Sequence, residues 1–163
     1  MPNTREEREE LSLSKAAQYL LEECRMVLPG IQALFGFQLV VVFSPGFSEK
    51  LTKPEQLVHF GAITLIATAV AIIMTPAALH RGTGSKLVTA TFVRLSARLL
   101  AWSMAPLALG ICLDFYLIAR VITGTKLVAL LAVGLFAVFI VLWFALPRAQ
   151  ALQKALSGKS RDD

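Results

Sequence analysis

The chain has 163 residues, 56% of them hydrophobic and 17% charged, with a formal charge of +5 and a mean hydropathy of +0.66. These proportions do not fit an ordinary soluble domain. A positive balance that would suggest nucleic-acid binding in a soluble protein is explained here by loop placement and lipid headgroups, so no nucleic-acid partner is expected.

No Asp, Glu, Lys or Arg occurs in residues 26–48, 56–80 or 127–147, and Asp114 is the only one between Arg98 and Arg120. Each stretch approaches or exceeds the roughly 20 residues needed to cross about 30 Å of hydrocarbon. The sequence therefore predicts an all-α integral membrane four-helix bundle with short loops and an amphipathic amino-terminal interfacial helix. Its expected divisions are a cytoplasmic tail and interfacial helix over residues 1–26, the bundle over 27–147, and a cytoplasmic tail over 148–163.

From the amino terminus, Thr4 to Glu10 mixes both signs of charge, unlike a cleavable secretion signal. Leu13, Ala17, Leu20 and Cys24 then recur at helical spacing, with Ser14, Lys15, Gln18, Glu22 and Arg25 over much of the remaining surface. Pro29 follows, and two outcomes stay open: a separate interfacial helix ending there, or one long kinked helix. The predicted spans are residues 29–44, 57–79, 97–118 and 127–146. Ser44-Pro45-Gly46 and Thr123-Gly124-Thr125 read as turns, and Gly82 with Gly84 as a break before the third helix. Alanine pairs at 67/71 and 101/105, with Gly134 and Val138, suggest ridges for close helix approach, and Pro76 and Pro106 suggest bends.

Twelve of the 16 Lys and Arg fall in the amino-terminal tail, the second connection with the entry to the third span, and the carboxy-terminal tail. Only Lys50, Lys53, Arg120 and Lys126 fall in the other two loops. By the positive-inside rule both termini are cytoplasmic.

Under this topology Gln38, Thr64 and Asp114 share an outer depth layer, and Gln32 extends a polar side into the first span. A carboxylate at the depth of Asp114 avoids lipid, takes up a proton or faces a hydrated interior. Structural hydrogen bonding, a pore lining and simple snorkelling all remain open for it. At the inner ends, Glu22, Glu23, Arg25, His80, Arg81, Arg94 and Arg98 form a second layer, suited to anionic lipid headgroups and to a Glu22–Arg98 pairing between helices. His59 and His80 belong to opposite sides, and Cys24 and Cys112 differ in depth, so neither a metal site nor a disulfide is expected. Ser96 and Ser103 belong to no hydrolase arrangement, and the Gly-rich stretch before Lys86 lacks the spacing of a phosphate loop. No catalytic residue or cofactor is assigned.

The run Glu22-Glu23-Cys24-Arg25-Met26-Val27-Leu28-Pro29-Gly30-Ile31-Gln32, followed by Phe35-Gly36-Phe37-Gln38, resembles a family of small bacterial four-span membrane proteins of unknown function. The end of the second span, from Pro76 to His80-Arg81, is consistent with it, and the resemblance extends over residues 20–146. It implies a bacterial inner-membrane location and four helices, and brings no activity. The leading expectation is a homo-oligomer with a cation-selective channel or small-ion pathway. The alternative is a non-conducting structural or interaction subunit with a membrane-protein partner.

Overall fold

The computed structural model describes residues 4–82 and 89–149. Gly84, Lys86 and most of the carboxy-terminal tail, including Lys154, Lys159 and Arg161, lie outside the described residues. The fold is all-α, and no strand occurs among the described residues. The elements are α1 (Thr4–Val42), α2 (Pro45–Lys50), α3 (Lys53–Gly82), α4 (Ala90–Thr123) and α5 (Val128–Ile140), which runs into a π-helical turn at Val141–Ala145. Four stretches are long and apolar enough to cross a bilayer: Ser12–Val42, Lys53–Arg81, Ala90–Thr123 and Val128–Ala149. The protein is a multi-pass membrane protein.

α1 resolves the open question at Pro29. It is one helix of 39 residues with Pro29 inside it, about 58 Å long at 1.5 Å per residue, and no helix break marks the division expected after residue 26. Proline removes one i→i−4 bond, and a membrane helix tolerates that loss when its packing face continues. Here the face does continue. Ala17, Cys24, Ile31 and Gln38, each seven residues from the last, are the buried positions among the described residues of α1. Half of the stripe expected on an interfacial helix thus belongs to a longer seam. Gln32, beside Ile31, is exposed.

The chain divides into two compact units, Met1–Gly110 and Ile111–Asp163. In the first, α1 packs on α3. The buried positions of α3 are Glu55, His59, Ala62, Ile66, Ala69, Ile73 and Pro76. Their alternating steps of four and three are the pattern of a heptad seam, which brings helices together at a shallow crossing angle.

The start of α4 packs on α3 in the antiparallel sense, because the rings of His80 and Phe92 stand 5.8 Å apart while Gly110 meets Ala62 and Ile66. A Cβ on Gly110 would lie 2.8 Å from Ile66 Cγ1 and 3.2 Å from the Ala62 carbonyl oxygen. Ser96 and Ser103 precede it at seven-residue steps and are also buried. This is the small-residue seam of the unit. The ridges expected from Ala67 with Ala71, Ala101 with Ala105, and Gly134 with Val138 are exposed instead. Spacing of four is common in any alanine-rich helix, whereas seven-residue steps hold a position on one seam.

In the second unit, Gly124 ends α4 with φ +69°, and its N–H donates to the Arg120 carbonyl at 2.9 Å. This left-handed cap is the expected turn. Val128 and Ala132 are the buried residues of α5. At the π-helical turn the rings of Phe139 and Trp143 lie 4.6 Å apart, and Arg148 donates to the Phe144 carbonyl at 3.2 Å.

Candidate functional site

The candidate site of the first unit forms where α1, α2 and α3 meet. α1 ends in a tight turn in which the Ser44 hydroxyl donates to the Val41 carbonyl at 2.8 Å. Pro45 at the first position of α2 suits its fixed φ. The loop read from sequence as a turn therefore contains a short helix, and that helix carries Phe47 over the start of α3. The Phe47 and His59 rings are 5.3 Å apart and tilted.

Thr52 stands just before α3, and Thr52-Lys53-Pro54-Glu55 has the spacing of a capping box. Glu55 Oε2 accepts from the Thr52 backbone N–H at 2.8 Å and from its hydroxyl at 2.7 Å. Gln56 Nε2 donates to the Leu51 carbonyl at 3.0 Å, closing the same turn. One turn along, His59 Nε2 lies 3.1 Å from the Gln38 carbonyl oxygen. A carbonyl only accepts, so Nε2 carries the hydrogen and α3 donates to α1. Gln38, Glu55 and His59 are 4%, 8% and 6% exposed, a polar cluster enclosed at one end of an apolar seam.

Of the residues expected in a polar layer, Gln38 joins this cluster. Thr64 does not: it is exposed, and its hydroxyl donates to the Phe60 carbonyl of its own helix at 2.9 Å. A threonine that turns back onto its own helix needs no neighbour at membrane depth. Sequence reading missed Glu55, His59 and Phe47. One signal pointed to Glu55, the T-x-x-E capping spacing from Thr52. Replacing Glu55 by Ala is expected to cost about 1 kcal/mol through loss of the cap, read as a lower unfolding midpoint in detergent. Glu55→Gln should retain most of it.

Asp114 belongs to the second unit. It is half-buried and its Oδ1 is out of contact with solvent; the same holds for Arg120 and its Nε. Cys112 and Leu117 on the same helix are buried, and both cysteines are free thiols.

The inner layer is different in kind. Glu22, Glu23, Arg25, Arg81, Arg94 and Arg98 are exposed, and only His80, against Phe92, is partly covered. The Glu22–Arg98 pair expected between helices is not formed among the described residues. Long charged side chains at helix ends reach headgroup and water more readily than each other, because pairing orders both for a small gain.

Residues 5–147 match the Family of unknown function (DUF6328). The chain belongs to this family. The DUF6328 match takes in all of α1 except its first residue, so the helix that passes through Pro29 lies within the family's unit. No curated protein and no solved structure matches the chain.

Proposed function

We propose that this DUF6328 protein is a homo-oligomer of the bacterial inner membrane, with both termini cytoplasmic, that gives a small cation a path across the bilayer. Asp114 carries the reading. It is the only acidic residue between Arg98 and Arg120, it lies in an apolar helix, and it is half-buried rather than turned wholly to the surroundings. A carboxylate in such a helix is costly in hydrocarbon, and an ion path is one of the roles that accounts for it. Its negative charge favours cations. The excess of Lys and Arg at one end of the helices supports the orientation. Apolar faces left exposed on α1 and α5 leave room for lipid and for further copies. The reading includes no catalysed reaction and no cofactor.

In sealed vesicles the purified protein should pass cations in preference to anions. Asp114→Asn should lower that selectivity several-fold with assembly intact, and Asp114→Leu should weaken assembly as well. No leak under any ion, pH or voltage tested would rule the pathway out.

The second reading is a non-conducting subunit of a larger membrane complex. It draws on the Gln38–Glu55–His59 cluster, where His59 bonds across two helices and Glu55 caps one. Co-purification of one membrane protein in fixed ratio would favour it.

A further inference from the structure

We infer that the side of α4 carrying Arg94, Arg98 and Trp102 is a docking site for an anionic phospholipid. The three residues are four apart, so each stands one turn above the last on a single stripe. Ala101, Ala105 and Leu109 continue that stripe toward the middle of the helix. All six are exposed, Trp102 to 74%. Phe92, Ser96, Ser103 and Gly110 define the opposite side of α4, the one turned to α3. The stripe is therefore the side of α4 that its packing on α3 leaves open.

The chemistry along it changes with depth in the order of a phospholipid. An indole as exposed as that of Trp102 settles at the boundary between headgroup and acyl chain. Arg98 and Arg94 then stand about 6 and 12 Å further toward water, at the level of the phosphates. Neither guanidinium forms an ion pair with a carboxylate among the described residues, and the acidic residues expected nearest to them, Glu22 and Glu23, are themselves exposed. Two planar donor forks one turn apart can hold a phosphodiester between them, and the indole N–H can donate to an ester carbonyl. Beside and beyond Trp102 the exposed stripe carries only Ala101, Ala105 and Leu109, apolar side chains against which an acyl chain can lie. A zwitterionic lipid brings its own cation to the two arginines, so the site selects lipids with net negative charge. The inference rests on the membrane placement of the helices given under the proposed function and not on conduction.

The test uses full-length protein with Trp143→Phe, which leaves Trp102 as the only tryptophan of the two in the chain. It is reconstituted in phosphatidylcholine vesicles containing small fractions of phosphatidylglycerol with brominated acyl chains, which quench an adjacent indole. Each basic residue near an anionic surface is worth a factor of about five, so the pair should favour the brominated anionic lipid over brominated phosphatidylcholine by roughly twenty-five-fold. Arg94→Gln with Arg98→Gln should bring the two lipids to equal quenching, while the corresponding Lys pair should keep part of the preference. Equal quenching in the parent protein, or a preference that survives the double Gln variant, overturns the site. Reversal of quenching by millimolar inorganic phosphate would overturn the lipid as its occupant. Brominated lipid fills both leaflets, so the readout does not depend on which way the chain faces. Cation flux from the same vesicles reports on the pathway separately.

Discussion

Gly110→Leu should be the most damaging single change in the first unit, separating α3 from α4 and lowering the unfolding midpoint in detergent by an amount corresponding to several kcal/mol. Even the single carbon of an alanine would meet Ile66 Cγ1 at 2.8 Å and the Ala62 carbonyl oxygen at 3.2 Å. Ile66 and Ala62 are fully buried, so neither can retreat without moving its helix. Overpacking of this kind costs about 1–3 kcal/mol for small additions. Gly110→Ala recovers about 1 kcal/mol through better helix propensity, so its net loss should be modest. Leucine recovers a similar amount and adds three more carbons to the clash. A double-mutant cycle checks the contact directly. Trimming Ile66 to Ala should be less harmful beside Gly110→Ala than alone, with a coupling of about 1 kcal/mol. A Gly110→Leu protein that unfolds at the parent midpoint would mean that the two helices are not in close contact there.

This contact also shows which parts of the architecture can be read from residues alone. The spans were legible because hydrocarbon imposes a length and excludes charge over about 20 positions. That constraint acts on each helix alone, and α3, α4 and the last helix overlap the expected 57–79, 97–118 and 127–146 closely. Which side of a helix is packed depends on its neighbours. Ala67, Ala71, Ala101 and Ala105 had the right residue type and the wrong side, while Ser96, Ser103 and Gly110 keep the seven-residue register. A helix in water shows its packed side as the apolar one, against a polar side that faces solvent. In lipid both sides are apolar, and that contrast vanishes. Pro29 left two outcomes open for a related reason. Its ring is a helix breaker by local preference, and the stripe from Ala17 to Gln38 overrides it. At the candidate site Gln38 was visible as an amide in an apolar run. Glu55 and His59 were not, because they sit in the loop-proximal turn where charge and polarity arouse no suspicion. The capping spacing from Thr52 was the available clue to the first. Nothing in one sequence pairs His59 with Gln38 across 21 positions.

His59→Ala should have the second-largest effect, lowering stability by about 2 kcal/mol. It removes a hydrogen bond worth about 0.6–1 kcal/mol and an aromatic contact worth about 0.5–1.5 kcal/mol. The two parts are separable. His59→Phe retains a ring against Phe47 and loses the donor to the Gln38 carbonyl, so it should recover the aromatic share alone. Phe47→Ala loses the ring contact and keeps the bond, and in the His59→Ala background it should add little further loss. Fully additive losses in that cycle would remove the Phe47 contact from the account. Hydrogen exchange offers a second readout, since α2 has no buried residue of its own and its hold on α3 runs through Phe47. Amides of α2 should exchange faster in His59→Ala and remain near the parent rate in His59→Phe. The same variants bear on the two functional readings. Lower stability with unaltered cation flux assigns the Gln38–His59 bond to the scaffold that sets α1 against α3. A change in ion selectivity at parent stability would instead count against a purely structural role for His59.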